Sequence, residues 1–247
     1  MKKCGTIHVV LACLTLAAGA NSVSAQGSDE WKFQLAPLYL WAVDMGGSMT
    51  VMGEETPFEV KFADAAEKLE ATFTVHFEAW KGDWGFLADV SWLDLGGEVP
   101  LPAPMPEADP VVGIDFQQTM VELGAFYRFA TATSIVFGAR YTSIDPKITL
   151  PMEVVIDPSQ SWTDAFVGLV WRPRISRRWA FSGRFDIATG GSDVTYSASA
   201  ILDWQIGRFL ALDFGYRYLD TDYEDSGAGF AYDATQQGPL AALRFFW

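Results

Sequence analysis

Cysteine, histidine and long apolar runs are all scarce in this chain of 247 residues. Its cysteines, Cys4 and Cys13, both lie close to the N-terminus. Disulfide cross-links and any cysteine-based metal or nucleophilic site are therefore excluded in the rest of the chain. Beyond the N-terminal segment, no apolar run reaches the ~18 residues that a transmembrane helix needs. A membrane crossing by this chain would therefore have to use β-strands.

Positive charge is also in short supply. The chain has 17 Lys and Arg residues against 31 Asp and Glu residues, which gives a formal net charge of -14. This balance argues against nucleic acid as a partner. The sequence contains neither a glycine-rich phosphate loop nor a cluster of histidines, so no cofactor and no metal site are predicted.

The N-terminus has the three parts of a secretory signal peptide. A positive start, "MKKCG", precedes the apolar "TIHVVLACLTLAAGA" and the small-residue segment "NSVSAQ", with Val23 and Ala25 at the two critical positions. We predict that residues 1–25 are a signal peptide and that residues 26–247 form one domain. The alternative, lipid attachment at Cys13, is disfavoured because the apolar segment continues past that cysteine. Cleavage leaves His76 as the single histidine.

The rest of the sequence alternates between apolar and polar residues. In "EATFTVHFEAW", Phe73 and Phe77 fall on one face, and His76 and Glu78 fall on the other. The same pattern recurs in "WGFLADVSWLDL" and "RFLALDFGYRYLD". A period of two residues is typical of a β-strand with different surroundings on its two sides.

The spacing of aromatic residues favours a membrane barrel over a soluble β-sandwich, whose strands also alternate. Three pairs stand eight residues apart on an apolar face: Trp31 and Tyr39, Trp84 and Trp92, and Tyr196 and Trp204. Eight residues span ~26 Å along a strand, or ~20 Å along the membrane normal after a ~40° tilt. That is close to the ~25 Å apolar band between the aromatic girdles of an outer-membrane barrel. We therefore predict an all-β fold, a transmembrane antiparallel up-and-down β-barrel.

Turn lengths predict the strand number. Short connections, "KGD", "ATAT", "RPRISR" and "QIGR", alternate with longer acidic or proline-rich segments, "GGEVPLPAPMPEADPVVG", "SIDPKITLPMEVVIDPSQ", "TGGSD" and "DTDYEDSGAG". This alternation of short and long connections predicts about ten strands, an even number, as such barrels require. The strands begin near residues 31, 70, 84, 114, 133, 160, 177, 193, 208 and 230. Residues 44–69 are predicted as a hairpin in the first outer loop or as two further strands, which would make about twelve. Pro37 predicts a bulge in the first strand.

The segments "PLYLWA", "HFEAWKGDWGFLADVSWLDL", "GYRYLD" and "GPLAALRFFW" resemble the small outer-membrane β-barrel proteins of proteobacteria, a group that includes opacity-type surface antigens. The resemblance covers most of residues 31–247. It implies a place in the cell outer membrane, contact with its lipid, and insertion by the outer-membrane assembly machinery. It also implies that Leu243, Phe245 and Trp247, on the apolar face of the last strand, form the assembly signal. It carries over no catalytic residue.

The inward faces carry acids and arginines in nearly equal number. The predicted lumen charge network consists of Glu78, Asp89, Glu122, Arg128, Arg140, Asp164, Arg172, Arg184, Asp186, Asp203, Asp213, Arg217 and Arg244. Because an unpaired charge in a confined lumen is costly, these groups should pair, and the planar guanidinium suits pairing with carboxylates.

Three functions are compatible with this pattern. The favoured one is a monomeric structural or surface protein, not an enzyme, with an occluded, cross-linked lumen. The first alternative is a narrow channel for small solutes. The second is a membrane-embedded hydrolase in which Glu78 orients His76 as general base and either Thr74 or a serine across the wall is the nucleophile.

Overall fold

The structure is a computed structural model that describes residues 30–51, 53–62, 69–100, 111–150, 154–156 and 158–247. The predicted signal peptide, residues 1–25, lies outside this part of the chain. The strands are β1 (Lys32–Ala36), β2 (Tyr39–Trp41), β3 (Asp44–Val51), β4 (Glu54–Val60), β5 (Leu69–Lys81), β6 (Trp84–Pro100), β7 (Val111–Ala130), β8 (Thr133–Leu150), β9 (Val154–Ile156), β10 (Gln160–Trp171), β11 (Trp179–Thr189), β12 (Val194–Gln205), β13 (Leu210–Asp225) and β14 (Phe230–Phe246). No helix in the described residues is long and apolar enough to cross a membrane.

The strands close into one antiparallel barrel. Each wall strand pairs with its neighbours in sequence, from β1 and β5 round to β13 and β14, and β14 then pairs with β1, β2 and β3. Since β1, β2 and β3 are successive segments of one wall strand, the wall of the described residues has ten strands. The prediction of a ten-stranded up-and-down barrel is confirmed.

β3 and β4 form a hairpin and add no new wall strands. β3 runs along the outer part of β14, with Asp44 opposite Gln237, and β4 pairs with the free edge of β3. Through β3, the hairpin therefore extends the first wall strand towards the outer rim of the barrel. Of the two interpretations of this region, the outer-loop hairpin is confirmed, and a barrel of about twelve strands is wrong.

A bulge at Pro37 reverses the faces of the first wall strand. Leu35 lies opposite Phe245, and Tyr39 lies opposite Ala242, so the first strand has one residue more than its partner over this interval. An extra residue interchanges inward and outward positions beyond it. Tyr39, predicted on the outer aromatic girdle, is for that reason inside the barrel and only 7% exposed. That placement in the girdle is wrong, and the bulge is the cause.

The outer surface of the barrel is apolar across its middle. Outward side chains that are well exposed include Phe73, Phe86, Leu123, Phe137, Val167, Leu169, Phe185, Tyr196, Phe214 and Tyr216. Aromatic pairs lie at the rim that holds the short turns and the C-terminus, such as Trp84 with Tyr127 and Trp179 with Trp204, with ring centroids 5.0 and 5.7 Å apart. This is the periplasmic rim, because short turns face the periplasm in such barrels.

The wall is uneven at the opposite, outer rim. β7 has 20 residues, which span ~50 Å along the membrane normal at a ~40° tilt, well beyond a ~25 Å apolar band. β13 likewise continues through "DTDYED" to Asp225, so most of this predicted outer loop is strand, and the turn covers only residues 226–229. β11 and β12 are shorter, with 11 and 12 residues, and leave the wall low between β10 and β13.

Candidate functional site in the barrel lumen

Two acids and two arginines form a buried cluster at mid-height in the lumen. Arg140 on β8 donates from Nε to Oε1 of Glu122 at 2.8 Å and from Nη2 to Oδ1 of Asp186 at 2.7 Å. Arg184 on β11 places Nη2 2.9 Å from Oε2 of Glu122 and Nε 2.7 Å from Oδ2 of Asp186. These last two contacts are short but not aligned for hydrogen bonding, so they stabilise the cluster mainly through charge. The four groups balance in charge.

An aromatic ring supports the two arginines. The Phe166 ring lies 5.5 Å from the guanidinium carbon of Arg140 and 5.2 Å from that of Arg184. It fits because the strands beneath it carry Gly124 and Gly138, which lie opposite each other. A Cβ atom on Gly138 would stand 2.9 Å from Cζ of Phe166 and clash with the backbone of β7. The two glycines thus leave space for the Phe166 ring, and both guanidinium groups pack against this ring.

Arg217 on β13 links this cluster to the opposite wall. Its Nη2 lies 3.4 Å from Oε1 of Glu122, and its Nη1 donates to the hydroxyl oxygen of Tyr39 at 3.5 Å. The Tyr39 hydroxyl in turn donates to Oδ1 of Asp89 at 3.0 Å. Tyr39 takes part because the Pro37 bulge turns it inward. The network therefore spans from β11 across the lumen to the first wall strand.

His76 continues the network towards the periplasm. Its Nδ1 lies 2.8 Å from Oδ2 of Asp89, and its Nε2 lies 3.2 Å from Oε1 of Glu78. Glu78 also accepts two hydrogen bonds from Arg172, at 2.8 and 2.6 Å. The Thr74 hydroxyl donates instead to the backbone carbonyl of Tyr39. Both ring nitrogens of His76 thus face carboxylates, and the Thr74 hydroxyl bonds to the Tyr39 backbone.

Stacked groups occupy the periplasmic level of the lumen. The guanidinium carbons of Arg128 and Arg172 lie 4.9 and 5.6 Å from the centroid of the Trp80 ring, which also stacks on Phe126 at 4.9 Å. Its indole nitrogen donates to Oε2 of Glu78 at 2.8 Å. Arg128, predicted to pair with a carboxylate, is held here through the indole ring.

Arg244, the inward arginine of the last strand, joins a separate group of acids. It donates from Nε to Oδ2 of Asp213 at 2.7 Å and from Nη2 to Oδ1 of the same residue at 3.0 Å. It also donates to Asp203 on β12. The pairing ties β14 to β13 and β12 close to the periplasmic rim.

Asp164 lies opposite Arg140 on β8, but its carboxylate binds the β11–β12 turn. Its Oδ1 accepts hydrogen bonds from the backbone N–H groups of Gly191 and Ser192, at 2.9 and 2.7 Å, and its Oδ2 accepts one from the Ser192 hydroxyl at 2.8 Å. The predicted place of Asp164 in the charge network is therefore replaced by a role in holding the β11–β12 turn against β10.

Neutral groups bridge the lumen nearer the outer rim. The side-chain amides of Gln118 on β7 and Gln236 on β14 exchange two hydrogen bonds across the barrel, at 3.3 and 2.6 Å. Above the low wall at β11 and β12, the Trp162 and Tyr223 rings stack with centroids 4.3 Å apart. Tyr232 lies 6.3 Å from Trp162 and closes the group.

The outer rim of the barrel is acidic. The outer end of β13 and its neighbours carries many acids, and partial desolvation followed by the nearby carboxylates of Asp233 and Asp193 raises the pKa of Asp222. Such crowding of carboxylates opposes ionisation.

Among the described residues, no group of three or more His, Cys, Asp and Glu side chains is arranged to hold a metal ion.

The predicted lumen network consists of charged residues alone and lacks the aromatic and neutral members that the structure shows there. Tyr39 connects Arg217 to Asp89, and the amides of Gln118 and Gln236 connect β7 to β14. The rings of Trp80 and Trp162 stack on neighbouring aromatic rings in the lumen. The signal was present for Tyr39, since a bulge at Pro37 implies a change of face from that residue on.

The C-terminus lies in the periplasmic girdle. Trp247 is 57% exposed, its ring stacks on that of Phe33 with centroids 5.6 Å apart, and its backbone N–H donates to the Phe33 carbonyl. Leu243 and Phe245 face outward on the same strand. The three residues of the predicted assembly signal therefore lie on one face at the seam of the barrel.

A closed antiparallel barrel with an apolar outer belt, an aromatic girdle at the rim of the short turns and a polar lumen defines an outer-membrane β-barrel protein. The chain is such a protein, and its place is the cell outer membrane.

The chain matches no protein-family model and no curated protein. It is similar in structure to the outer membrane protease OmpT from Escherichia coli, with 8% identity, coverage of 91% of this chain and 99% of that chain, and a TM-score of 0.49. It is also similar to Ail, the attachment invasion locus protein of Yersinia pestis, with 12% identity, coverage of 88% and 99%, and a TM-score of 0.37. The translocator domain of the autotransporter NalP from Neisseria meningitidis has 9% identity, coverage of 87% and 88%, and a TM-score of 0.44.

Proposed function

We infer that this protein is a structural or surface component of the outer membrane whose lumen is occluded and serves to stiffen the wall. The observation that carries this proposal is a continuous set of side-chain bridges across the lumen. Its members, in order, are Asp186, Arg140, Glu122, Arg217, Tyr39 and Asp89. A ten-stranded barrel is narrow, so charges that meet in its middle leave little room for solutes.

The buried position of the charges supports a cross-linking role. Glu122, Arg140 and Asp186 have side chains at most 1% exposed. A conducting pore presents its charges to water, where each can exchange a protein partner for a hydrated ion. Here they are paired with one another and stacked on Phe166. The arrangement favours rigidity over transport.

The surroundings of His76 support a non-catalytic role. A general base needs one ring nitrogen directed at a nucleophile or at water. Both nitrogens of His76 face the carboxylates of Asp89 and Glu78, and the Thr74 hydroxyl is committed to the Tyr39 backbone. The histidine acts in this proposal as one more link between acids, and the protein is not an enzyme.

The same proposal has three further parts. The protein belongs to the opacity-type surface barrels, and it is monomeric. The outer-membrane assembly machinery inserts it by binding Leu243, Phe245 and Trp247. The outward alignment of these three residues at the barrel seam supports the last point.

The test of the proposal is the ion current through the purified barrel in a planar bilayer. We expect no steady current steps from the wild type, whereas Arg217→Ala should give irregular leakage, because it removes the bridge between Glu122 and Tyr39. Unboiled gel mobility of both proteins shows that each is folded before the measurement. Stable wild-type steps of one size would overturn the proposal and establish the channel alternative.

A further inference from the structure

The ten arginines of the chain fall into two groups. Six of them, Arg128, Arg140, Arg172, Arg184, Arg217 and Arg244, belong to the lumen. The other four, Arg174, Arg177, Arg178 and Arg208, lie in the two neighbouring periplasmic turns that join β10 to β11 and β12 to β13. In a chain with a net charge of -14, this is a marked local concentration of positive charge.

The four arginines line one open cleft of about 820 Å³ between the turns. All four are exposed, and none forms an ion pair with a carboxylate of the described residues. The turns are fixed to each other, because the backbone N–H of Gln205 donates to the Arg178 carbonyl at 2.8 Å. Arg174 donates to the backbone carbonyls of Ser176 and Arg177. The cleft therefore presents positive charge that no carboxylate of the described residues neutralises.

Exposed apolar side chains flank the arginines. Ile175 is 61% exposed, Ile206 44% and Phe209 64%. Directly beside the turns, Trp179 and Trp204 stack on the outer wall with an interplanar angle of 9°. Aromatic girdles lie at the level of lipid headgroups, so the arginines stand at the height of the phosphates.

We propose that this cleft, the periplasmic arginine cleft, binds the phosphate headgroups of anionic phospholipids in the periplasmic leaflet of the outer membrane. The planar guanidinium forms two parallel hydrogen bonds to phosphate oxygens, and Ile175, Ile206 and Phe209 contact the adjoining acyl chains. Juxtamembrane arginines attract anionic lipid surfaces in the same way.

The charge difference between the rims favours the lipid as the occupant. The outer rim is acidic around Asp222, while the arginines gather at the rim that faces the phospholipid leaflet. Lys81, also at this rim, lies 5.9 Å from the centroid of the Trp31 ring, so positive charge extends around the girdle. A ligand that reaches both the charges and the exposed apolar side chains has a charged head and an apolar tail.

The test is lipid retention by the processed barrel in micelles that contain equal amounts of phosphatidylglycerol and phosphatidylcholine, counted by native mass spectrometry. We expect the wild type to retain phosphatidylglycerol over phosphatidylcholine by about ten-fold or more, and a variant with R174Q, R177Q, R178Q and R208Q to retain the two about equally. The preference should weaken in high salt.

The matched control replaces two exposed lysines away from this rim, Lys61→Gln with Lys147→Gln, and should keep the wild-type preference. Unchanged gel mobility of unboiled samples shows that the variants are folded. An unchanged preference in the four-arginine variant, or equal retention of both lipids by the wild type, would overturn the proposal. Displacement of phosphatidylglycerol by millimolar inorganic phosphate would show a site for a soluble anion and would overturn it as well.

Discussion

Glu122→Met is expected to lower the free energy of unfolding by about 3–5 kcal/mol, because it leaves Arg140, Arg184 and Arg217 without their shared carboxylate in the middle of the lumen. Methionine keeps most of the side-chain volume, so the loss reports charge more than packing. Equilibrium unfolding in urea, with the barrel in phospholipid vesicles and tryptophan fluorescence as the signal, measures the change.

The double variant Glu122→Met with Arg140→Met separates charge from packing. It removes one acid and one base, so the remaining pair of Arg184 and Asp186 stays balanced. Replacing a buried ion pair by apolar groups of similar volume is often close to neutral. We therefore expect the double variant to be more stable than Glu122→Met. A double variant as unstable as the sum of the two single variants would contradict the role of charge balance.

Leu123→Arg is expected to destabilise the inserted barrel by about 2–4 kcal/mol, because its side chain faces the lipid near the middle of the membrane. Leu123 is 60% exposed on the outer face of β7. It stands four residues from Tyr127 in the periplasmic girdle, which corresponds to ~10 Å along the membrane normal. The free energy of unfolding in vesicles and the yield of heat-modifiable barrel measure the effect.

Phe129→Arg is the matched control on the same strand and the same face. Phe129 is 54% exposed but lies at the periplasmic rim, where the cost of an arginine falls to about 0–1 kcal/mol. Equal losses from the two substitutions would mean that the apolar belt does not lie at the depth inferred from the aromatic girdles.

The wall of the barrel could be predicted from the sequence because its signal is local. Alternation has a period of two residues, and turns interrupt it at the rims. The predicted starts near residues 84, 133, 160 and 230 coincide with the first residues of β6, β8, β10 and β14. Residues 44–69 were ambiguous because a hairpin in a loop and a hairpin in the wall have the same local pattern.

The lumen could be predicted only in part. Alternation places Arg140 and Asp186 inside, but it gives no distance between strands that are remote in sequence. Asp164 is inward as well, yet the nearby turn at Gly191 and Ser192 offers its carboxylate three donors, and it binds there. Alternation alone places Tyr39 on the outer face, because it takes no account of the extra residue at Pro37, which exchanges the two faces of the strand.

Thiol accessibility inside the lumen tests the central claim most directly. Residues 26–247 contain no cysteine, so Ser197→Cys introduces a single thiol into the processed chain, at an inward position that is 4% exposed and lies opposite Asp186. Ser226→Cys, in the exposed turn at the outer rim, is the positive control. With a membrane-impermeant methanethiosulfonate reagent, we expect rapid labelling at position 226 and labelling at position 197 only after unfolding. Comparable labelling of both thiols in the folded barrel would contradict an occluded lumen.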